Sequence, residues 1–256
     1  MEDSHLLYRV ENGTAYITIN REQQRNAITP EAISLFHEYL DTAEKDDNVR
    51  VILVTSAGEK AFCTGAQLSG GLSTEGQDIF ASYSGLLYRL ATFPKPTVAR
   101  IRGFCLAGGM GFMLACDIVI ASDDSKFGTP EVNVGLWPMM IGALIFRNVS
   151  QKKAMEMILL GERLSAQEAL TMCLITRVVP ASSLDDEVVK VLNTLASKSP
   201  IGMKIGKQAF HEMENMPLKD ALIFLSEKLK QVVSTEDAME GITAFIEKRQ
   251  PVFKGR

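Results

Sequence analysis

Cysteine is scarce and unpaired in this sequence. Cys63, Cys105, Cys116 and Cys173 are the four in 256 residues, and none form a CxxC or other close pair. That spacing argues against the common zinc motifs and against a disulfide framework, so no metal is implied. Histidine occurs three times, at the scattered positions His5, His37 and His211. No Walker A run, HExxH or GxSxG is present, and Gly109-Met110-Gly111 lacks the rest of a dinucleotide fingerprint. There is no uncharged apolar run long enough to span a bilayer. The opening MEDSHLLYRVENG is acidic without a long apolar core, so a secretory signal is not expected and a reducing, cytoplasmic location is. A net charge of −4 argues against a broad nucleic-acid surface. Internal repeats, low-complexity tracts and long linkers are also missing.

What remains is an ordinary globular composition, 46% hydrophobic with mixed charge. Leu6–Val10 and Thr14–Ile19 flank Asn12-Gly13 and predict a β-hairpin. Thr29-Pro30-Glu31 predicts a capped helix running to about Asp46. The apolar run Val51–Thr55 predicts a strand buried on both faces. Ser56–Gly76 reads as a glycine-rich loop, and Asp78–Ala91 as a helix that Pro94 and Pro96 end. A strand from Thr97 leads through Gly103 to a helix opened by Gly108-Gly109. An apolar run, Asp117–Ala121, follows that helix. Val132–Met140 reads as irregular loop, with helices over Ile141–Val149 and Gln151–Leu160. Ser165–Met172 carries a Ser-x-x-Glu capping box, and Ile175–Val179 is a short extended run. Beyond Pro180 the pattern is almost wholly helical, over 185–197, 201–213, 218–233 and 236–248. Strands alternating with helices, then helices alone, predict an α/β core with a helical C-terminal part.

The chemistry concentrates between Ile101 and Glu131. A helix opened by glycines offers unpaired N–H groups to a developing negative charge, and a ligand can approach its backbone closely. Glu131 follows, directly behind Pro130. An anion site and one acid point to carbonyl chemistry if the fold brings them together. Taken alone, the glycines fit a close-packing turn equally well, and Glu131 fits a solvated loop residue.

The order of short segments resolves those alternatives. Thr18-Ile19-Asn20-Arg21 with Asn26-Ala27-Ile28, Ala61–Leu68, Lys95–Ala99 leading to Gly103, Ala107-Gly108-Gly109, Ala115-Cys116-Asp117, Phe127–Glu131, and Phe245–Arg249 with Pro251 and Phe253 resemble the crotonase family of enoyl-CoA hydratases and isomerases. The resemblance runs nearly end to end. It implies a β-β-α spiral over residues 1–195 holding the acyl-CoA site, and a helical region over 196–256 that drives assembly into a trimer or dimer of trimers. It implies that the backbone N–H groups of Ala66 and Gly108 form an oxyanion hole and that Glu131 moves the proton. Arg25, Ala27, Thr64, Gln67, Leu68, Gly109, Trp137, Lys248 and Phe253 are the implied CoA and substrate contacts. Coenzyme A is part of the substrate, and no separate cofactor is implied.

Three departures bear on the reaction. Two-acid hydratases of the family carry a second Glu where this chain has Gly111. Gln67 replaces an Asp, and Leu136–Ile141 replaces a glycine-rich segment with bulky apolar residues. A single carboxylate can still carry a proton from C2 to C4 of a 3-enoyl thioester, so double-bond isomerisation is the leading expectation. Hydration of an unusual acyl group and acyl-CoA binding without catalysis are the alternatives. Asp117, the first acid after the helix, matches a family position outside the acid pair.

Overall fold

A computed structural model describes residues 4–66 and 78–256. β1 (Leu6–Glu11) and β2 (Thr14–Ile19) form an antiparallel hairpin. Its turn residues Asn12 and Gly13 have φ of 50° and 76°, the positive values a twist-matched two-residue turn requires. α1 (Pro30–Lys45) begins where the Thr29 side chain accepts a bond from the Ala32 N–H at 3.1 Å. It buries Ala32, Ile33, Phe36, Leu40 and Ala43, one helical stripe facing the core. β3 (Val51–Ser56) buries four consecutive residues, Val51 to Val54. Ile52 and Val54 join the main core, whereas Val51 and Leu53 join another cluster under Leu184, Val188 and Leu192. The unbroken apolar run therefore reflects a central strand covered on both faces.

The chain then repeats a pattern. β3 is followed by β4 (Ala61–Cys63) and α2 (Ile79–Ala91). β5 (Thr97–Ile101) is followed by β6 (Phe104–Leu106) and α3 (Gly108–Leu114), and β7 (Ile118–Ser122) by β8 (Lys126–Gly128). Each turn places one strand in a six-stranded sheet, ordered β1-β2-β3-β5-β7-β10, and one in a four-stranded sheet, ordered β4-β6-β8-β9. β2 onward pairs in parallel in the first sheet, as does β4-β6-β8 in the other. This is the β-β-α spiral.

A 3-10 turn at Pro130–Val134 leads to α4 (Met139–Asn148) and α5 (Gln151–Leu160). β9 (Leu164–Ser165), α6 (Ala166–Thr171) and β10 (Arg177–Val179) follow. The capping box at Ser165 is formed in both directions, with Glu168 accepting from the Ser165 backbone N–H at 2.7 Å. α7 (Leu184–Ala196), α8 (Pro200–Met213), α9 (Leu218–Val233) and α10 (Glu236–Glu247) complete the helical C-terminal part. Asp237, 2% exposed, accepts from Ser199 Oγ and from the backbone N–H groups of Lys254 and Gly255, folding the tail back onto α8. No helix among the described residues is long and apolar enough to cross a membrane.

The predicted elements from α4 onward agree with the structure to within about two residues, the usual scatter of helix ends. Four short strands, β4, β6, β8 and β9, go beyond the sequence expectation. β4 lies inside the span that reads as glycine-rich loop, and β6 inside the turn after Gly103. Each is two or three residues long, too short for alternation to show. The first part of Val132–Met140, irregular by its sequence, lies in the 3-10 turn.

Candidate active site

β4, β6 and β8 end at one side of the small sheet, and their following segments meet there. Gly65 has φ +96°, and a Cβ placed on it would sit 2.7 Å from the Ala107 Cβ and 3.3 Å from the Gly108 nitrogen. Only glycine permits that approach, so the loop after β4 is pressed against the start of α3. Ala107 itself has φ 52° and ψ −134°, a strained conformation for an L residue. Its N–H donates to the Gly128 carbonyl at 2.9 Å, which ties the strained turn to β8. The Gly65 carbonyl accepts from the Ile28 N–H at 2.8 Å. The Ala66 and Gly108 N–H groups have no acceptor among the described residues.

Ala66, Gly108 and Glu131 line one cavity of about 390 Å³ with Ile28, Thr64 and Tyr83. The segment Leu136–Ile141 supplies much of its remaining apolar wall. Glu131 sits at the start of the 3-10 turn, half-buried, and its Oε2 is shut off from solvent without a hydrogen-bond partner. Burial pushes its carboxyl above the ordinary value, because an apolar surrounding penalises the charged form. It is the only carboxylate among the described residues lining the cavity. An acid held in an apolar pocket with a raised pKa is suited to accept and return a proton near neutrality.

The enoyl-CoA hydratase/isomerase family model matches residues 9–256. The chain belongs to the enoyl-CoA hydratase/isomerase family. It is 34% identical over 254 residues to the short-chain-enoyl-CoA hydratase of Clostridium acetobutylicum, covering 98% of this chain and 97% of that protein. It is 35% identical over 251 residues to the (E)-benzylidenesuccinyl-CoA hydratase of Thauera aromatica, covering 96% and 97%. The crystal structure of an enoyl-CoA hydratase from Bacillus anthracis superposes with a TM-score of 0.93 at 30% identity, covering 98% of this chain and all 100% of that one. The fold is therefore the crotonase fold, and the chain is an enzyme of this family.

Within that frame the structure sorts the expected residues. Thr64 and Trp137 reach the cavity with Ala66, Gly108 and Glu131. Arg25 is exposed, and its carbonyl accepts from Thr64 Oγ1 at 3.3 Å, which places it next to the cavity wall. The Ala27 carbonyl accepts from the Arg21 guanidinium at 2.6 Å, and its neighbour Ile28 is the one that lines the cavity. Gln67 and Leu68 lie outside the described residues.

Three further expected contacts lie away from this wall. Gly109 is buried against the Cys63 carbonyl, because α3 must pass β4 at backbone distance, so it packs instead of lining the cavity. Lys248 ends α10 with φ 56°. The Phe253 ring packs over Gly241, and its carbonyl accepts from Arg50 at 3.0 Å, so both residues belong to the C-terminal helices and tail. Asp117 is a structural anchor. It accepts from the Thr97 N–H at 2.7 Å and from Lys207 Nζ at 2.5 Å.

The residue that sequence reasoning misses is Tyr83. It projects from α2 into the cavity, 7% exposed, and its phenol donates to the Gly108 carbonyl. A tyrosine on the buried stripe of an amphipathic helix is indistinguishable from core by sequence alone. Only its distant pairing with Gly108 reveals more.

Proposed function

We propose that this enzyme shifts the double bond of a 3-enoyl-CoA to the 2-position. Glu131 takes a proton from C2, and the electrons move through the thioester to give an enolate. The Ala66 and Gly108 N–H groups stabilise its oxygen, and Glu131 returns the proton at C4. Preorganised donors aimed at a developing oxyanion are commonly the largest catalytic contribution, about 3–4 kcal/mol for a single donor. The observation that carries the reading is Glu131, the only carboxylate among the described cavity-lining residues. Isomerisation needs one proton carrier, whereas the two-acid route to hydration needs a partner for it. Arg25, whose carbonyl accepts from Thr64 Oγ1 at the cavity wall, would meet the CoA phosphates. Lys248 and Phe253 would serve a neighbouring copy's site in a trimer, and the exposed apolar residues Leu222, Phe245 and Ile246 support such self-association.

An alternative reading, hydration, is favoured by the relatives, which are named as hydratases. Parallel assays of the purified protein with 3-enoyl-CoA and 2-enoyl-CoA separate the two. The expected result is conversion of the former to 2-enoyl-CoA, with kcat/KM for hydration at least about 100-fold lower. Efficient hydration of 2-enoyl-CoA would replace the isomerase reading with the hydratase one. CoA binding without turnover of either would leave a non-catalytic binder.

A further inference from the structure

The cavity wall beside Gly108 carries an aromatic hydroxyl, that of Tyr83. A Cβ placed on Gly111 would overlap Tyr83 Oη and would come within 2.9 Å of Ile141 Cγ2 and 3.0 Å of Leu87 Cδ2. The volume that a side chain at position 111 would need is therefore already occupied. Tyr83 is not loosely placed there. Its ring meets Phe112 edge-on at 5.7 Å and 82°, and Phe112 stacks on Phe36 at 5.2 Å. The ring packs against Phe112, and the phenol donates its proton to the Gly108 carbonyl.

We propose that Tyr83 is the specificity-determining residue of this site: its phenol fills the place of a second acid and denies an attacking water an anchor beside Glu131. The inference rests on the isomerase reading and deepens it. Hydration at this site would need a water whose oxygen bonds to C3 while its proton passes to Glu131, which then delivers a proton to C2. Such a water must be held between Glu131 and another polar group on the neighbouring wall. The Gly108 carbonyl is a polar group on that wall, and Tyr83 already engages it. The phenol is a poor substitute for a carboxylate as proton carrier. Burial above all, with Cys63, Cys105 and Glu131 nearby, raises it well above its ordinary value and keeps it as neutral O–H. Tyr83 thus permits proton transfer along the acyl chain and disfavours addition of water.

The test is the ratio of hydration to isomerisation, each as kcat/KM, in the whole protein. Tyr83→Phe keeps the ring and its packing, removes the hydroxyl and frees the Gly108 carbonyl. The ratio is expected to rise at least about fivefold. A merely structural tyrosine would slow both reactions together and leave the ratio unchanged, which would overturn the inference. Tyr83→Ala combined with Gly111→Glu makes room for a second carboxylate. If it folds, its ratio is expected to exceed that of Tyr83→Ala alone by about tenfold or more. A folded, CoA-binding double variant with no such gain would also overturn the inference. Wild-type enzyme that isomerises while Tyr83→Phe leaves the ratio unchanged defeats this inference alone. Wild-type enzyme that hydrates efficiently defeats the isomerase reading and this inference with it.

Discussion

Glu131→Gln is expected to lower kcat for double-bond migration by about 1000-fold, within the range for loss of a positioned proton carrier. KM should change little. Glutamine keeps the size and shape of the side chain, and the binding surface is supplied by the apolar wall and the backbone amides. The loss should therefore fall on kcat, the signature of an interaction that matters in the transition state and not in the ground state. The pH profile of the wild-type enzyme should report the same group. Burial raises the Glu131 carboxyl above the ordinary 4.5, and the base form is the charged one. The rate must fall as pH drops through that raised value, so the acid limb should lie above 4.5 and disappear with Gln at this position. A variant with normal kcat would mean that another group carries the proton.

Gly109→Ala should have the other large effect, and it is structural. The added methyl group runs into the carbonyl of Cys63, a backbone atom that cannot swing away. Either α3 or β4 must move, at a cost of about 3 kcal/mol for overpacking of this kind. For a chain of this size the midpoint of thermal unfolding should fall by on the order of 10 °C. The displaced element carries Gly108 at one side of the contact or leads to Ala66 at the other. Activity should thus fall more than substrate binding. Circular dichroism melts alongside kcat and KM check both halves. An unchanged melt with weakened binding would return Gly109 to the role of a substrate contact.

The contrast between local and distant contacts explains what the sequence discloses. The hairpin at Asn12-Gly13, the Thr29 cap, the doubly buried β3 and the capping box at Ser165 are local patterns, readable within a few residues, and all are present. β4 and β6 stay hidden, because three-residue strands exist only through their neighbours in the small sheet. At the cavity, the order of motifs points to Ala66, Gly108 and Glu131, and the departure at Leu136–Ile141 points to Trp137. Gly109 and Tyr83 mislead in opposite directions. By sequence, Gly109 belongs to a ligand-facing turn, yet it is a close-packing contact. Tyr83 has the pattern of a core residue, yet it faces the cavity. Both depend on which strand or helix lies opposite, across gaps of 46 and 25 residues between Cys63 and Gly109 and between Tyr83 and Gly108. No local pattern encodes that.

The most direct test of a single proton carrier uses 3-enoyl-CoA deuterated at both C2 positions, turned over in oxygen-labelled water and followed by mass spectrometry and NMR. One buried carboxylate that lifts a deuteron from C2 and sets it down at C4 predicts 2-enoyl-CoA with deuterium at C4 and no oxygen gained. A product that gains labelled oxygen at C3, or that carries only solvent hydrogen at C4, would contradict it.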